Sequence, residues 1–348
     1  MASGKRATSK GKLPAAVNWV RLTDEELLQR RVRDLQLSIE GSVLEKRTKQ
    51  LYHELERKGL VFRPPFYLAD EWLCPDREPI IGIPFCLAHS RLRQLEKKMM
   101  LEVEGGTDTS FMKLLRHECG HAINFAYRFF KKTRWRELFG AVSMRYSDSY
   151  SYQPYSRRYV IHLGDHYAQC HPDEDFAETF AVWLTPNSQW REKYKDWPVI
   201  KKLHYVDHLM QTAGQTEPPV RAGGKPPWSA ARMTSTLAGY YERKRKGLGT
   251  EFQGYYDSSL RGLFLSFSGE DSLLEAGQLL RMHRKRIMEE VSRWTGHRKY
   301  DIYQLISRLI RRCDALDLYA EPDHLVGITA LVTAIAGNTL RPQRGHMK

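Results

Sequence analysis

The chain of 348 residues, 41% hydrophobic and 11% aromatic, has enough apolar material for one large or two modest domains, which excludes wholesale disorder. Lys and Arg number 55 against 41 Asp and Glu, a formal charge of +14 that favours anionic partners and leaves the fold open. Five cysteines are too few, and odd in number, for a disulfide scaffold; they fit a reducing compartment.

Residues 1–16 read as a flexible basic tail without the apolar core of a secretory signal. Thr23-Asp24-Glu25-Glu26 is a capping box, and Leu27, Leu28, Leu35 and Leu37 begin a helical region reaching about Lys58, with a break at Gly41-Ser42. From Val61 to His89, prolines, aromatics and β-branched residues between turn signals predict short strands. Ser90 to Met100 predicts a helix, and Leu101 to Glu104, ahead of Gly105-Gly106, a short strand ending in a turn. A strong helix starts near Thr107–Ser110 and carries FMKLLRHECGHAINFAYRFFKK. A Tyr-rich irregular stretch over 146–159 follows, as either a substrate lid or plain loop packing. A second strong helix opens after His171-Pro172 and carries DEDFAETFAVWL, with Pro172 suited to a first turn. Another helix is expected from about Pro198 to Thr212. Gly214 to Ser229, rich in Pro and Gly, is the linker candidate. Beyond it the chain is helical and basic: residues 221–314 hold 18 Lys and Arg against 10 Asp and Glu. The longest apolar run, Leu325 to Gly337, is interrupted and falls short of the roughly 20 residues that span a bilayer, so a soluble, cytoplasmic protein is expected.

His117-Glu118-Cys119-Gly120-His121 is an H-E-x-x-H motif inside a helical pattern. The i, i+4 spacing stacks both imidazoles on one face, where they can grip one Zn²⁺. Glu118, about 100° round the helix, can reach a metal-bound water and take its proton as it attacks a carbonyl. Cys119 points away from that face and is expected in the core, and Gly120 is expected to let another segment approach closely. A catalytic zinc needs a third protein ligand and one open position. On the second helix Glu174 and Glu178 stand i, i+4 beside an apolar stripe of Phe176, Ala177, Phe180 and Ala181. One can bind the metal while the other hydrogen-bonds a ligating imidazole. Asp173 and Asp175 suit a helix N-terminus through the macrodipole. His162, His166 and His171 are rival third ligands, as are Asp175 and Glu178. His171 precedes Pro172 and is biased to extended backbone. Cys74, Cys86 and His89 suggest a zinc-ribbon fragment without its first pair.

The run H-E-C-G-H-A-I, followed by Y-A-Q-C-H-P-D-E-D-F-A-E-T-F-A, resembles the gluzincin zinc peptidases, particularly the lethal-factor type. The stretch from about Arg63 to Met210, and more loosely the whole chain, resembles bacterial proteins described as zinc-binding metallopeptidases. The expected fold is α+β: residues 17–213 form a zincin-like catalytic domain, with the HExxH helix beside a small sheet and helices at the N-terminal side. A linker over 214–230 and a mostly helical region over 231–348 follow. The resemblance implies one catalytic Zn²⁺ held by His117, His121 and Glu174, with Glu118 as base and then acid. It makes Glu178 the outer carboxylate on a ligating imidazole. Tyr167, seven residues before Glu174, becomes the oxyanion donor. By the same analogy Glu102-Val103-Glu104 is the strand edge along which an extended substrate lies. The expected activity is zinc-dependent hydrolysis of a peptide or amide bond.

The charge leaves two other readings. One is a basic nucleic-acid-binding protein whose H-E-x-x-H is structural, although no nucleic-acid motif is present. The other is a zinc protease of DNA- or chromatin-bound proteins. Arg243-Lys244-Arg245-Lys246 and Arg284-Lys285-Arg286 form either a solvated helix face or the surface for an anionic partner.

Overall fold

A computed structural model describes residues 18–144, 153, 155–163, 166–245, 256–266 and 273–339. The basic tail 1–16 and much of the Tyr-rich stretch, including Tyr146, Tyr150 and Tyr152, lie outside the described residues, as does Lys246.

Thr23 caps α1 (Asp24–Leu28) in a reciprocal box with Glu26, as its sequence predicts. The longer helix expected there breaks up. A 3-10 turn over Val32–Leu35 ends at Gln36, whose φ is +50°, and helix resumes after the Ser42 cap as α2 (Val43–Arg57). β1 (Phe66–Ala69) and β2 (Ile81–Pro84) pair in parallel, Phe66 opposite Ile81 and Ala69 opposite Pro84. α3 (Ser90–Met100) is capped by His89, whose Nδ1 accepts the Arg91 N–H at 3.1 Å. Cys74, Cys86 and His89 form no metal-ligating group among the described residues.

The strand expected at Leu101 to Glu104 is a turn. Leu101 (φ +67°) closes α3 through a bond to the Lys97 carbonyl, and Gly105 (φ +73°) bends the chain beneath Trp72. One β-branched residue, Val103, is outweighed by two left-handed positions, and Glu102-Val103-Glu104 is no strand edge.

α4 (Asp108–Tyr127) begins at a Thr107 cap and ends where Arg128 turns left-handed. The short α5 (Thr133–Phe139) precedes α6 (Pro172–Leu184), which has Pro172 in its first turn. Short α7 (Trp190–Lys193) and then α8 (Ile200–Ala213) follow. Past the Pro/Gly-rich stretch come α9 (Leu237–Arg245), α10 (Asp257–Leu263), β3 (Leu274–Glu275) and α11 (Ala276–Thr295). α12 (Lys299–Ala315), β4 (Tyr319–Ala320) and α13 (Leu325–Thr339) end the described chain, with β3 and β4 antiparallel. The architecture is α+β with helix dominant, and α4 packs beside β2.

Two hydrophobic cores form. The first gathers around Phe111, Phe125, Trp135, Phe176 and Phe180, and α9 joins it through Leu237, Tyr240 and Tyr241. The second lies among α10 to α13. Tyr300 packs against the first core and Leu101 against the second, which ties them together. Lys244 is half-buried and paired rather than solvated: Nζ lies 2.7 Å from the Glu96 carboxylate and 3.1 Å from the Tyr240 hydroxyl. Arg245 donates to the Met99 carbonyl. Both residues therefore fasten α9 to α3. No helix among the described residues is long and apolar enough to cross a membrane.

From Leu114 to Tyr127 every residue of α4 is buried, as is every residue of α6, so both helices are central. They touch at Gly120. A Cβ there would stand 2.7 Å from the Ala177 Cα and 2.9 Å from its carbonyl oxygen, which is backbone and cannot step aside. Gly120→Ala should therefore push the helices apart, destabilising by about 1–3 kcal/mol or more through overpacking. Denaturant unfolding checks this; an unchanged midpoint would mean the contact is looser than drawn.

Candidate metal centre

Gly120 and Ala177 hold the same place in two motifs of equal spacing, His117-x-x-Gly120-His121 on α4 and Glu174-x-x-Ala177-Glu178 on α6. The close crossing sets one i, i+4 pair against the other. The helices run in opposite directions there, with His117 meeting Glu178 and His121 meeting Glu174. Neither helix has a solvent face at this point, and buried charge persists only when paired.

His117 Nε2 lies 3.0 Å from Glu174 Oε2, His121 Nε2 lies 3.1 Å from the same oxygen, and the two Nε2 atoms are 3.1 Å apart. The other nitrogen of His117, Nδ1, is 2.7 Å from Glu178 Oε1, and Glu178 Oε2 accepts the Leu163 N–H at 2.8 Å. With Nδ1–H donated to a carboxylate, the Nε2 lone pair is free to ligate. Burial alone pushes both imidazoles toward the neutral form. The hydrogen bonds and charges of Glu174 and Glu178 override it, so His117 sits well above its usual range and His121 above it through Glu174. Burial likewise pushes both carboxyls up; His121 and His117 reverse it for Glu174, and His117, helped by His162 and the Leu163 N–H, reverses it for Glu178, so both sit below the usual carboxylate range. The cluster is built to hold positive charge.

Glu118, buried and off the ligand face, is pushed up to about 7 by burial, against the pull of His117 and His121. Cys119 is fully buried in the core. The Tyr167 ring centre lies 5.6 Å from that of His117, on a 3-10 turn just ahead of α6. The turn begins at His166, whose φ is +52°.

Of the rival ligands, His166 lies outside the His117–His121–Glu174 group, and His162, His171 and Asp175 are engaged elsewhere. His162 Nε2 bonds the Lys113 carbonyl at 3.0 Å. His171 caps α6: Nδ1 accepts the Asp173 N–H at 3.1 Å, and Nε2 lies 2.9 Å from the Met144 carbonyl. Asp175 Oδ2 lies 2.5 Å from Lys202 Nζ, and burial still pushes its carboxyl up to about 7. Asp173 accepts from Asn124 Nδ2 at 3.1 Å and faces Arg77 at 3.4 Å. Sequence reasoning missed Asn124, Arg77 and Lys202 as partners of these buried acids. Asn124 alone carried a local signal, a polar residue three positions after His121 in an apolar run.

His171→Ala should cost about 1 kcal/mol of stability as a lost cap and leave metal binding in place. His171→Asn, a good cap that does not titrate, should recover most of it. Burial holds the folded His171 imidazole below its usual range, so the unfolded chain binds more protons as pH falls below about 6.5. Wild-type stability should then fall across that window, and the Asn variant should give a flatter curve. Equilibrium unfolding of the three proteins at neutral and mildly acid pH tests both points.

Two imidazole nitrogens and one carboxylate oxygen, all buried, are a donor set suited to zinc, and edges of 3.0–3.1 Å can be bridged by one ion bonded at about 2.0–2.1 Å to each atom. His117, His121 and Glu174 thus form a buried group with the donors and spacing to hold a metal ion, on an HExxH helix where it crosses a second buried helix. Residues 81–192, which take in β2, both ligand-bearing helices and Tyr167, match the family described as "Putative zinc-binding metallo-peptidase". The match covers 112 of the chain's 348 residues. No curated protein and no solved structure matches the chain.

Proposed function

We propose that the protein is a zinc-dependent peptidase that hydrolyses a peptide or amide bond at the crossing of α4 and α6. One observation carries the reading: His117 Nε2, His121 Nε2 and Glu174 Oε2 converge within 3.0–3.1 Å in a buried site. In this reading those three atoms hold one Zn²⁺. When bound, zinc supplies Lewis acidity, lowering the pKa of water toward about 7 and drawing charge from a carbonyl oxygen. The Glu118 carboxylate takes the proton of the attacking water and returns it to the leaving nitrogen. Glu178 keeps the His117 proton on Nδ1 and fixes the plane of the ring. Tyr167 supplies a phenol donor for the negative oxygen that forms. The likeness of both motifs to lethal-factor-type gluzincins supports these assignments. The net charge of +14 favours acidic peptides or proteins as substrates.

Metal analysis should find about one zinc per chain, and none in a His117→Ala/His121→Ala double variant. Cleavage of a mixed peptide pool should stop on chelation and return with added zinc. Wild type and double variant equally empty under zinc-replete conditions would end the reading.

A further inference from the structure

His162 and Leu163 belong to no sheet, yet they are tied to both helices of the site. Lys113 stands one turn before His117 on α4. Its Nζ donates to the His162 carbonyl at 3.2 Å, and His162 Nε2 lies 3.0 Å from the Lys113 carbonyl. A carbonyl only accepts, so Nε2 carries the proton and the two residues clasp each other reciprocally. Just upstream, the Ile161 N–H donates to the Tyr194 hydroxyl at 3.1 Å. Between these ties and the metal centre runs one peptide. The Leu163 N–H donates to Glu178 Oε2 at 2.8 Å, while Glu178 Oε1 lies 2.7 Å from His117 Nδ1. A carboxylate held by one oxygen still swings about its last bond; held by both, it fixes the imidazole plane.

We infer that His162 is a positioning residue for the metal ligand His117, acting through the Leu163 peptide and Glu178. This rests on the zinc reading above. The ring itself is buried at 8% exposure and bonds α4, so it anchors the peptide that completes the coordination of Glu178 rather than filling space. The Nε2–H bond to the Lys113 carbonyl also explains why a histidine, and not an aliphatic residue, occupies this buried place.

The test uses the full chain, zinc affinity by chelator competition, and Co²⁺ absorption as a probe of ligand geometry. His162→Phe keeps the bulk and removes the N–H. Zinc affinity should fall about 10-fold, at the low end for groups that orient a ligand, with a shifted Co²⁺ spectrum. Lys113→Met, at an exposed side chain, cuts one of the two ties and should give a smaller loss in the same direction. The decisive measurement is the double variant. Because the path runs through Glu178, adding His162→Phe to Glu178→Gln should cost nothing more, whereas independent structural effects multiply. Multiplying losses, or an unchanged affinity and spectrum in His162→Phe, overturn the inference. Should His162→Phe not fold, Lys113→Met in both backgrounds carries the same comparison. Wild type that binds neither Zn²⁺ nor Co²⁺ overturns the zinc reading itself, a result distinct from variants that bind like wild type.

Discussion

Glu118→Gln is expected to keep its zinc and to lose roughly 10²–10⁴-fold in turnover. The substitution preserves size and leaves His117, His121 and Glu174 untouched, so nothing that holds the metal is removed. What disappears is the only carboxylate next to the ligand pair on α4 that is not already bonded to an imidazole in the described contacts. The fold should not suffer. Burial already pushes the Glu118 carboxyl up to about 7, so the ionised form is costly there and a neutral amide is no worse a tenant. Three readouts on one preparation separate the cases: metal content, melting temperature, and cleavage of any substrate that wild type cleaves. His117→Ala should lose metal and activity together. Full activity in Glu118→Gln would take Glu118 out of the chemistry and leave the centre as a metal site without its base.

Local rules carried most of the helices into view. Thr23 with Glu26, Thr107 ahead of the HExxH run, and Pro172 after His171 are signals contained within four residues, and α1, α4 and α6 begin where those signals lie. The i, i+4 pairs were legible for the same reason: helix periodicity alone puts His117 over His121 and Glu174 over Glu178. What brings the two pairs face to face is not local. It depends on Gly120 lying against the Ala177 backbone, a contact between residues far apart in sequence. The partners of the acidic run were hidden in the same way. Asp173 and Asp175 could be read as dipole-favoured residues of a first turn, but Asn124, Arg77 and Lys202 come from other elements. Where a local signal was weak, it misled. Val103 between two glutamates looked like strand until Leu101 and Gly105 took left-handed conformations on either side. Lys244, in a run of four basic residues, looked solvated until Glu96 and Tyr240 closed on it.

Glu174→Gln should empty or grossly weaken the zinc site, whereas Glu178→Gln should cost about 10–100-fold in affinity and leave zinc detectable. Periodicity cannot separate these residues, since both lie on the same face of α6. Their atoms can be separated. Glu174 Oε2 reaches both Nε2 atoms, at 3.0 and 3.1 Å, and so shares the point where a metal bonded to both rings must sit. Glu178 meets His117 at Nδ1, across the imidazole from Nε2, and its second oxygen is occupied by the Leu163 N–H. A carboxylate on the far side of the ring cannot ligate a metal shared by the near sides; it can only hold the proton on Nδ1 and the ring in plane. In Glu178→Gln the amide still offers an oxygen to Nδ1–H, but its NH₂ cannot accept the Leu163 N–H, so the ring keeps a partner while the fixed plane and the charge that raises the basicity of His117 are lost. In Glu174→Gln a negative ligand becomes a weak neutral one, and no described carboxylate takes its place. Metal titration of the two variants decides the matter. Loss of zinc in Glu178→Gln with retention in Glu174→Gln would put the metal on the Nδ1 side of His117, and the roles proposed for Glu174 and Tyr167 would fall together.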